Sequence, residues 1–123
     1  MQPPQPFHIM VTDINFRVRD LLKRELEKEG YHVSCIRGGI DVYHSICNSA
    51  AVDLIILDPE LLHPYGHSIF TDILKNNPAL QIILHTYHEF TRDVTTSRNI
   101  HIVEKNATSI NPLKDKIRAC LLH

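Results

Sequence analysis

Cysteine is scarce in this 123-residue chain, and Cys35, Cys47 and Cys120 form an odd set with no Cys-x-x-Cys pair. That argues against a disulfide framework and a zinc ribbon, and it suits a reducing cytosol. Long apolar runs are missing too: the longest reach four residues, where a membrane-spanning helix needs about 20. The opening Met1-Gln2-Pro3-Pro4-Gln5-Pro6 has neither the basic region nor the apolar stretch of a signal peptide. The expectation is a cytoplasmic protein without membrane contact. Charge of one sign is also absent, with Lys+Arg 13 against Asp+Glu 14 and a formal net charge of -1. At pH 7 there is thus no bulk electrostatic reason for direct nucleic acid contact, although the nine histidines add positive charge near pH 6. Finally, Thr12-Asp13-Ile14-Asn15-Phe16 lacks the glycine- or Ser/Thr-rich cradle of a flavin or nucleotide site.

What is present is an ordinary globular composition, 43% hydrophobic and 22% charged, at a length that suits one domain. Three prolines in the first six residues predict a flexible N-terminal tail over 1–7, with the folded domain over 8–123. Within that domain the apolar period alternates. Phe7–Val11 reads as a strand, and Val18, Leu21, Leu22 and Leu26 recur at helical spacing until Gly30. Tyr31–Ile36 is a second strand, followed by a helix over about Ile40–Asn48. Leu54-Ile55-Ile56-Leu57 is a strand apolar on both faces, as in a parallel sheet covered by helices on each side. A Pro/Gly loop (Pro59, Pro64, Gly66), a helix over His67–Asn76, strands at Leu80–Leu84 and Ile100–Val103, and a last helix complete the pattern. Asn111 followed by Pro112 reads as the start of that last helix. Five alternations of strand and helix predict an α/β fold with a doubly wound, five-stranded parallel sheet.

In such sheets functional groups gather at the carboxyl edge. Asp13 follows strand 1, Asp58 strand 3, Thr86 strand 4 and Lys105 strand 5. Two carboxylates, a hydroxyl and an ammonium in one crevice suit phosphoryl chemistry: one carboxylate as nucleophile, another toward Mg²⁺, the remaining groups toward the phosphoryl oxygens. Each residue alone is ordinary in a loop; their joint placement on four βα junctions carries the reading.

At this point the chain resembles the receiver domain of two-component response regulators, from His8 to Leu122. His8-Ile-Met-Val-Thr-Asp13 resembles the family's first strand with its acidic end. Arg19–Tyr31 is similar to its first helix and Gly-Tyr exit, and Val52–Asp58 to the strand that carries the phosphoacceptor. Gly66 stands where the family has its loop glycine, Ile82–Thr86 resembles the strand ending in Thr/Ser, and Val103-Glu-Lys105 the strand ending in lysine. The resemblance implies a flavodoxin-like (βα)5 fold and a non-enzymatic role in phosphorelay signal transduction. Asp58 would accept a phosphoryl group from a sensor histidine kinase. Thr86 and Lys105 would contact that group, and Asp13, Asp58 and the carbonyl of Glu60 would hold Mg²⁺. A downstream effector protein or domain is implied as a further partner, with a homodimer left open.

The chain departs from the family pattern at four places. Ile14 stands where the family has a second acidic residue, which weakens the expected Mg²⁺ site. Asn106, not proline, follows Lys105, and Ile102 replaces the aromatic switch residue. The segment Thr91–Asn99 is poor in helix formers. These departures support an alternative, a pseudo-receiver acting as a phosphorylation-independent interaction module; an enzyme with turnover on a small substrate comes third. His63, His67, His85 and His88 flank the same edge, where a transition-metal site is the sharper reading and solvated loop histidines the preferred one.

Overall fold

The computed structural model describes residues 6–37, 52–62, 67–87 and 98–122. The expected helix over 40–48, the loop residues His63, Pro64 and Gly66, His88, and most of the segment 91–99 lie outside them. Among the described residues, β1 (His8–Thr12), β2 (His32–Ile36), β3 (Leu54–Leu57), β4 (Gln81–Thr86) and β5 (Ile100–Glu104) form one sheet of order β2-β1-β3-β4-β5. Every pairing is parallel. Helices α1 (Phe16–Lys28), α2 (His67–Asn76) and α3 (Ile110–Leu121) connect or follow the strands, with a 3-10 turn over Pro59–Leu62. This is the parallel sheet that the alternating pattern predicts, in the flavodoxin-like strand order that the resemblance implies.

Strand alternation sorts the core into two layers. Ile9, Val11, Leu54, Ile56 and Ile83 face one side, where Leu22 and Leu26 of α1 and Leu113, Ile117 and Cys120 of α3 pack on them. Met10, Ile55, Leu57, Ile82 and Leu84 face the other side, with Ile73 of α2. β3 is buried along its whole length, which explains why its sequence is a continuous apolar run and not an alternating one. Each fully buried Leu or Ile contributes about 1.5–3 kcal/mol of burial free energy.

The helix ends follow from local chemistry. Asn15 caps α1, its side-chain oxygen accepting from Arg17 N–H at 2.9 Å. At the other end Gly30 (φ 95°) donates to Glu27 O and Tyr31 donates to Leu26 O, a Schellman closure that needs the left-handed conformation. Helix α3 begins earlier than the Asn-Pro signal suggests. Ser109 is its N-cap, and Ser109 O accepts from Leu113 N–H at 2.9 Å. Pro112 therefore sits at the third helical position, still inside the first turn, where a missing N–H breaks no intrahelical bond. On the surface Lys114 of α3 reaches Glu25 and Glu29, each at 3.2 Å, and ties α3 to the end of α1.

Candidate functional site

The site is a consequence of register. Val11 lies opposite Ile56 in the β1–β3 ladder, so two residues further on Asp13 and Asp58 leave the sheet side by side. Both are buried, at 1% and 2% exposure. Each carboxylate is fixed by a turn immediately after it. Asp13 Oδ1 accepts from Asn15 N–H at 2.9 Å, and Asp58 Oδ1 accepts from Glu60 N–H at 3.0 Å. Arg19, one turn into α1, donates to the Asp13 carbonyl.

Two adjacent buried carboxylates repel each other and lose hydration, so the arrangement needs a cation. Lys105 supplies it. Its ammonium donates to Asp13 Oδ2 and to Asp58 Oδ2, both at 2.7 Å. Burial pulls the Lys105 pKa down, but the two carboxylate hydrogen bonds and their charges outweigh that and raise it above the ordinary lysine value. Its backbone N–H donates to Thr86 O at 2.7 Å, an extension of the β4–β5 ladder that sets where the lysine starts. The ring of Tyr87, a half-exposed residue, lies 5.3 Å from the ammonium, a cation–π contact.

Thr86 is buried beside this trio, and its hydroxyl has no hydrogen-bond partner among the described residues. Such a group costs about 1–3 kcal/mol unless it meets an acceptor or donor. The structure thus joins Asp13, Asp58 and Lys105 by direct bonds, with Thr86 next to them through the backbone. Glu60 contributes its N–H to Asp58, while its residue as a whole is exposed. Ile14 is 68% exposed and brings no oxygen donor to the site. Ile102 is half-buried and packs on the α2-side core layer.

His85 is not a solvated loop residue: β4 runs two residues beyond the apolar run, so His85 is a strand residue, 3% exposed, on the face covered by α3. Its Nε2 lies 3.0 Å from Ser109 Oγ. Burial first, and then the Lys105 charge, lower its pKa to about 4, against a smaller opposing pull from Asp13 and Asp58. Among the described residues no group of three or more His, Cys, Asp or Glu side chains gathers as a metal site. Sequence reasoning also passes over Arg19, Tyr87 and Ser109, which touch the site or its neighbours; the only signal for Tyr87 is that it directly follows Thr86.

A family model described as response regulator receiver domain matches residues 9–108. The chain is 30% identical over 84 residues to the transcriptional regulatory protein GlrR of Escherichia coli (strain K12), an alignment that covers 68% of this chain and 19% of that protein. It therefore spans about a fifth of the length of the curated relatives it matches. Among solved structures, the response regulator protein TrrA of Thermotoga maritima in complex with Mg(2+)-BeF superposes with a TM-score of 0.81 at 29% identity, covering 94% of this chain and 99% of that one. A structure of the histidine kinase ThkA in complex with TrrA matches with a TM-score of 0.77 at 30% identity, covering 94% of this chain and 98% of the matched one. Among the described residues no helix is long and apolar enough to cross a membrane.

Proposed function

Since the chain belongs to the response regulator receiver domain family, we propose that it works in phosphorelay signalling by taking a phosphoryl group on Asp58 from the phosphohistidine of a sensor kinase. The observation that carries this reading is the 2.7 Å contact of Lys105 with Asp13 and Asp58, beside the unpaired hydroxyl of Thr86. An Asp58 oxygen attacks phosphorus, the P–N bond of the phosphohistidine breaks, and the imidazole leaves with the bonding pair. The phosphoryl group that results brings extra negative charge to the site. Lys105 turns from the free carboxylate to the new phosphoryl oxygens, and the Thr86 hydroxyl gains the acceptor it lacks.

The donor set suits Mg²⁺, a hard cation that is commonly held by one or two carboxylates with phosphate and water completing the shell. Asp13 and Asp58 would hold it, with the Glu60 carbonyl as a backbone donor. When bound, it neutralises charge on the phosphoryl oxygens. With Ile14 in place of a third carboxylate, affinity is lower than a three-acid site would give.

The unit that does this is the domain over 8–123, preceded by a tail over 1–7. Its partners are a histidine kinase and a downstream effector, its setting the cytoplasm, and its action that of a switch without multiple turnover. A second reading, a phosphorylation-independent interaction module, draws on Ile14 and on the aliphatic Ile102, which has no ring to turn inward.

Phosphorylation by acetyl phosphate, with and without Mg²⁺ and read by intact-mass spectrometry, separates the two. A Mg²⁺-dependent gain of one phosphoryl group that Asp58→Ala abolishes supports the acceptor. No adduct with either acetyl phosphate or a phosphorylated kinase domain supports the interaction module.

A further inference from the structure

The loop that follows Lys105 is held from two ends. On one side Lys105 N–H is bonded to Thr86 O. On the other, Asn106 Oδ1 accepts from Thr108 N–H at 2.8 Å and from the Thr108 hydroxyl at 3.0 Å. The Asn106 carbonyl accepts from Ser109 N–H at 3.3 Å and from the Ser109 hydroxyl at 3.0 Å. Ser109 Oγ is in turn 3.0 Å from Nε2 of His85, the residue that precedes Thr86 in β4.

Proton accounting fixes the roles in this chain of bonds. A serine hydroxyl has one proton, and here it points to the Asn106 carbonyl. Ser109 therefore accepts from His85, which carries its proton on Nε2 and leaves Nδ1 as a bare lone pair. Nδ1 is indeed buried and has no partner among the described residues. Burial and the nearby Lys105 charge keep the ring neutral well below physiological pH.

We propose that His85 is a positioning residue for Lys105: through Ser109 and Asn106 it fixes the loop backbone from which the lysine reaches the two carboxylates. The need is physical. Lysine has a long flexible stem, and β5, which leads into it, is paired among the described residues on one side only, to β4. The His85–Ser109 bond adds a second attachment to β4, one residue from Thr86. The inference rests on the reading in which Lys105 contacts the phosphoryl group on Asp58.

The test uses His85→Leu, Ser109→Ala and His85→Gln, the last of which keeps an N–H donor. Three quantities are read: the ¹⁵N shifts of the His85 ring, the Lys105 ammonium signal in the unphosphorylated protein, and the rate of adduct formation with acetyl phosphate. The wild type should show a protonated Nε2 and a bare Nδ1. His85→Leu and Ser109→Ala should broaden the ammonium signal and slow phosphorylation by about tenfold, with recovery in His85→Gln. Ser109→Ala removes a single buried oxygen and keeps the test informative if His85→Leu does not fold. An unchanged ammonium signal and rate in a folded variant, or a proton on Nδ1, overturns the proposal. If the wild type forms no adduct with acetyl phosphate or with a phosphorylated kinase domain, the phosphoacceptor reading falls and the ammonium signal alone decides the role of His85.

Discussion

Lys105 Nζ lies 2.7 Å from Asp58 Oδ2 although 47 residues separate them in the chain. The same ammonium is equally close to Asp13, 92 residues away. One cation therefore serves two buried anions, and the trio keeps a net charge of one negative unit. That residual charge makes the site receptive to a further cation while the lysine holds it together.

Removal of the lysine should expose this dependence. Lys105→Met leaves two buried carboxylates without a counter-charge and should lower stability at pH 7 by on the order of 3 kcal/mol, measured by urea unfolding. Adding Asp58→Asn to that background should return part of the loss, because only one buried charge remains. A double variant no better than Lys105→Met would show that the two carboxylates do not repel each other once the lysine is gone.

Mg²⁺ affinity should rise when a carboxylate is restored beside Asp13. Ile14 is largely exposed, so Ile14→Asp disturbs no core packing. The expected gain is about tenfold, read by titration of Mg²⁺ against the amide resonances of Asp13 and Asp58. An unchanged affinity would mean that residue 14 does not face the cation.

Acid should weaken the fold through His85. Its native pKa of about 4 lies below the unfolded value near 6.5, so the unfolded chain binds the proton first. The contribution is fully present above pH 6.5 and is lost progressively as pH falls toward 4. The total is on the order of 3 kcal/mol. His85→Leu should flatten this part of the stability–pH curve relative to wild type; parallel curves would contradict the burial of a neutral ring.

Gly30 offers a purely backbone test. Its φ of 95° is in the left-handed region, and a Cβ there would meet nothing within 4 Å. Gly30→Ala should therefore cost about 1–2 kcal/mol through conformation alone, with Gly30→Asn costing less. Equal melting temperatures for all three would show that the Schellman closure adapts.

Much of the fold is legible in the sequence because burial writes itself into period. Leu54–Leu57, apolar without interruption, predicts a central strand, and the stripe Val18, Leu21, Leu22 and Leu26 predicts the inner face of α1, where Leu22 and Leu26 are buried and Val18 is partly buried while Leu21 is 42% exposed. Boundaries are less legible where polar residues are buried. His85 and Thr86 end a strand whose apolar run stops at Leu84, since their burial depends on Ser109 and Lys105, distant in sequence. The start of α3 is hidden for a similar reason: Ser109 spends its hydroxyl on Asn106 and His85, and Asn111-Pro112 is a local signal without that partner. Ion placement is the least legible of all, because no local pattern says that one lysine spans two carboxylates.

The sheet order has a consequence for how the molecule comes into being. β1 is made early yet ends up between β2 and β3, and its ladder with β3 joins residues about 45 apart. Asp13 emerges from the ribosome long before the lysine that neutralises it, and Asp58 joins it in an all-acidic intermediate. Such a chain cannot bury that edge stably until β5 has been added, so the last parallel ladder completes the sheet and the charge balance together. A chain that stops short of Lys105 lacks the ammonium that meets both carboxylates, so its acidic edge stays uncompensated.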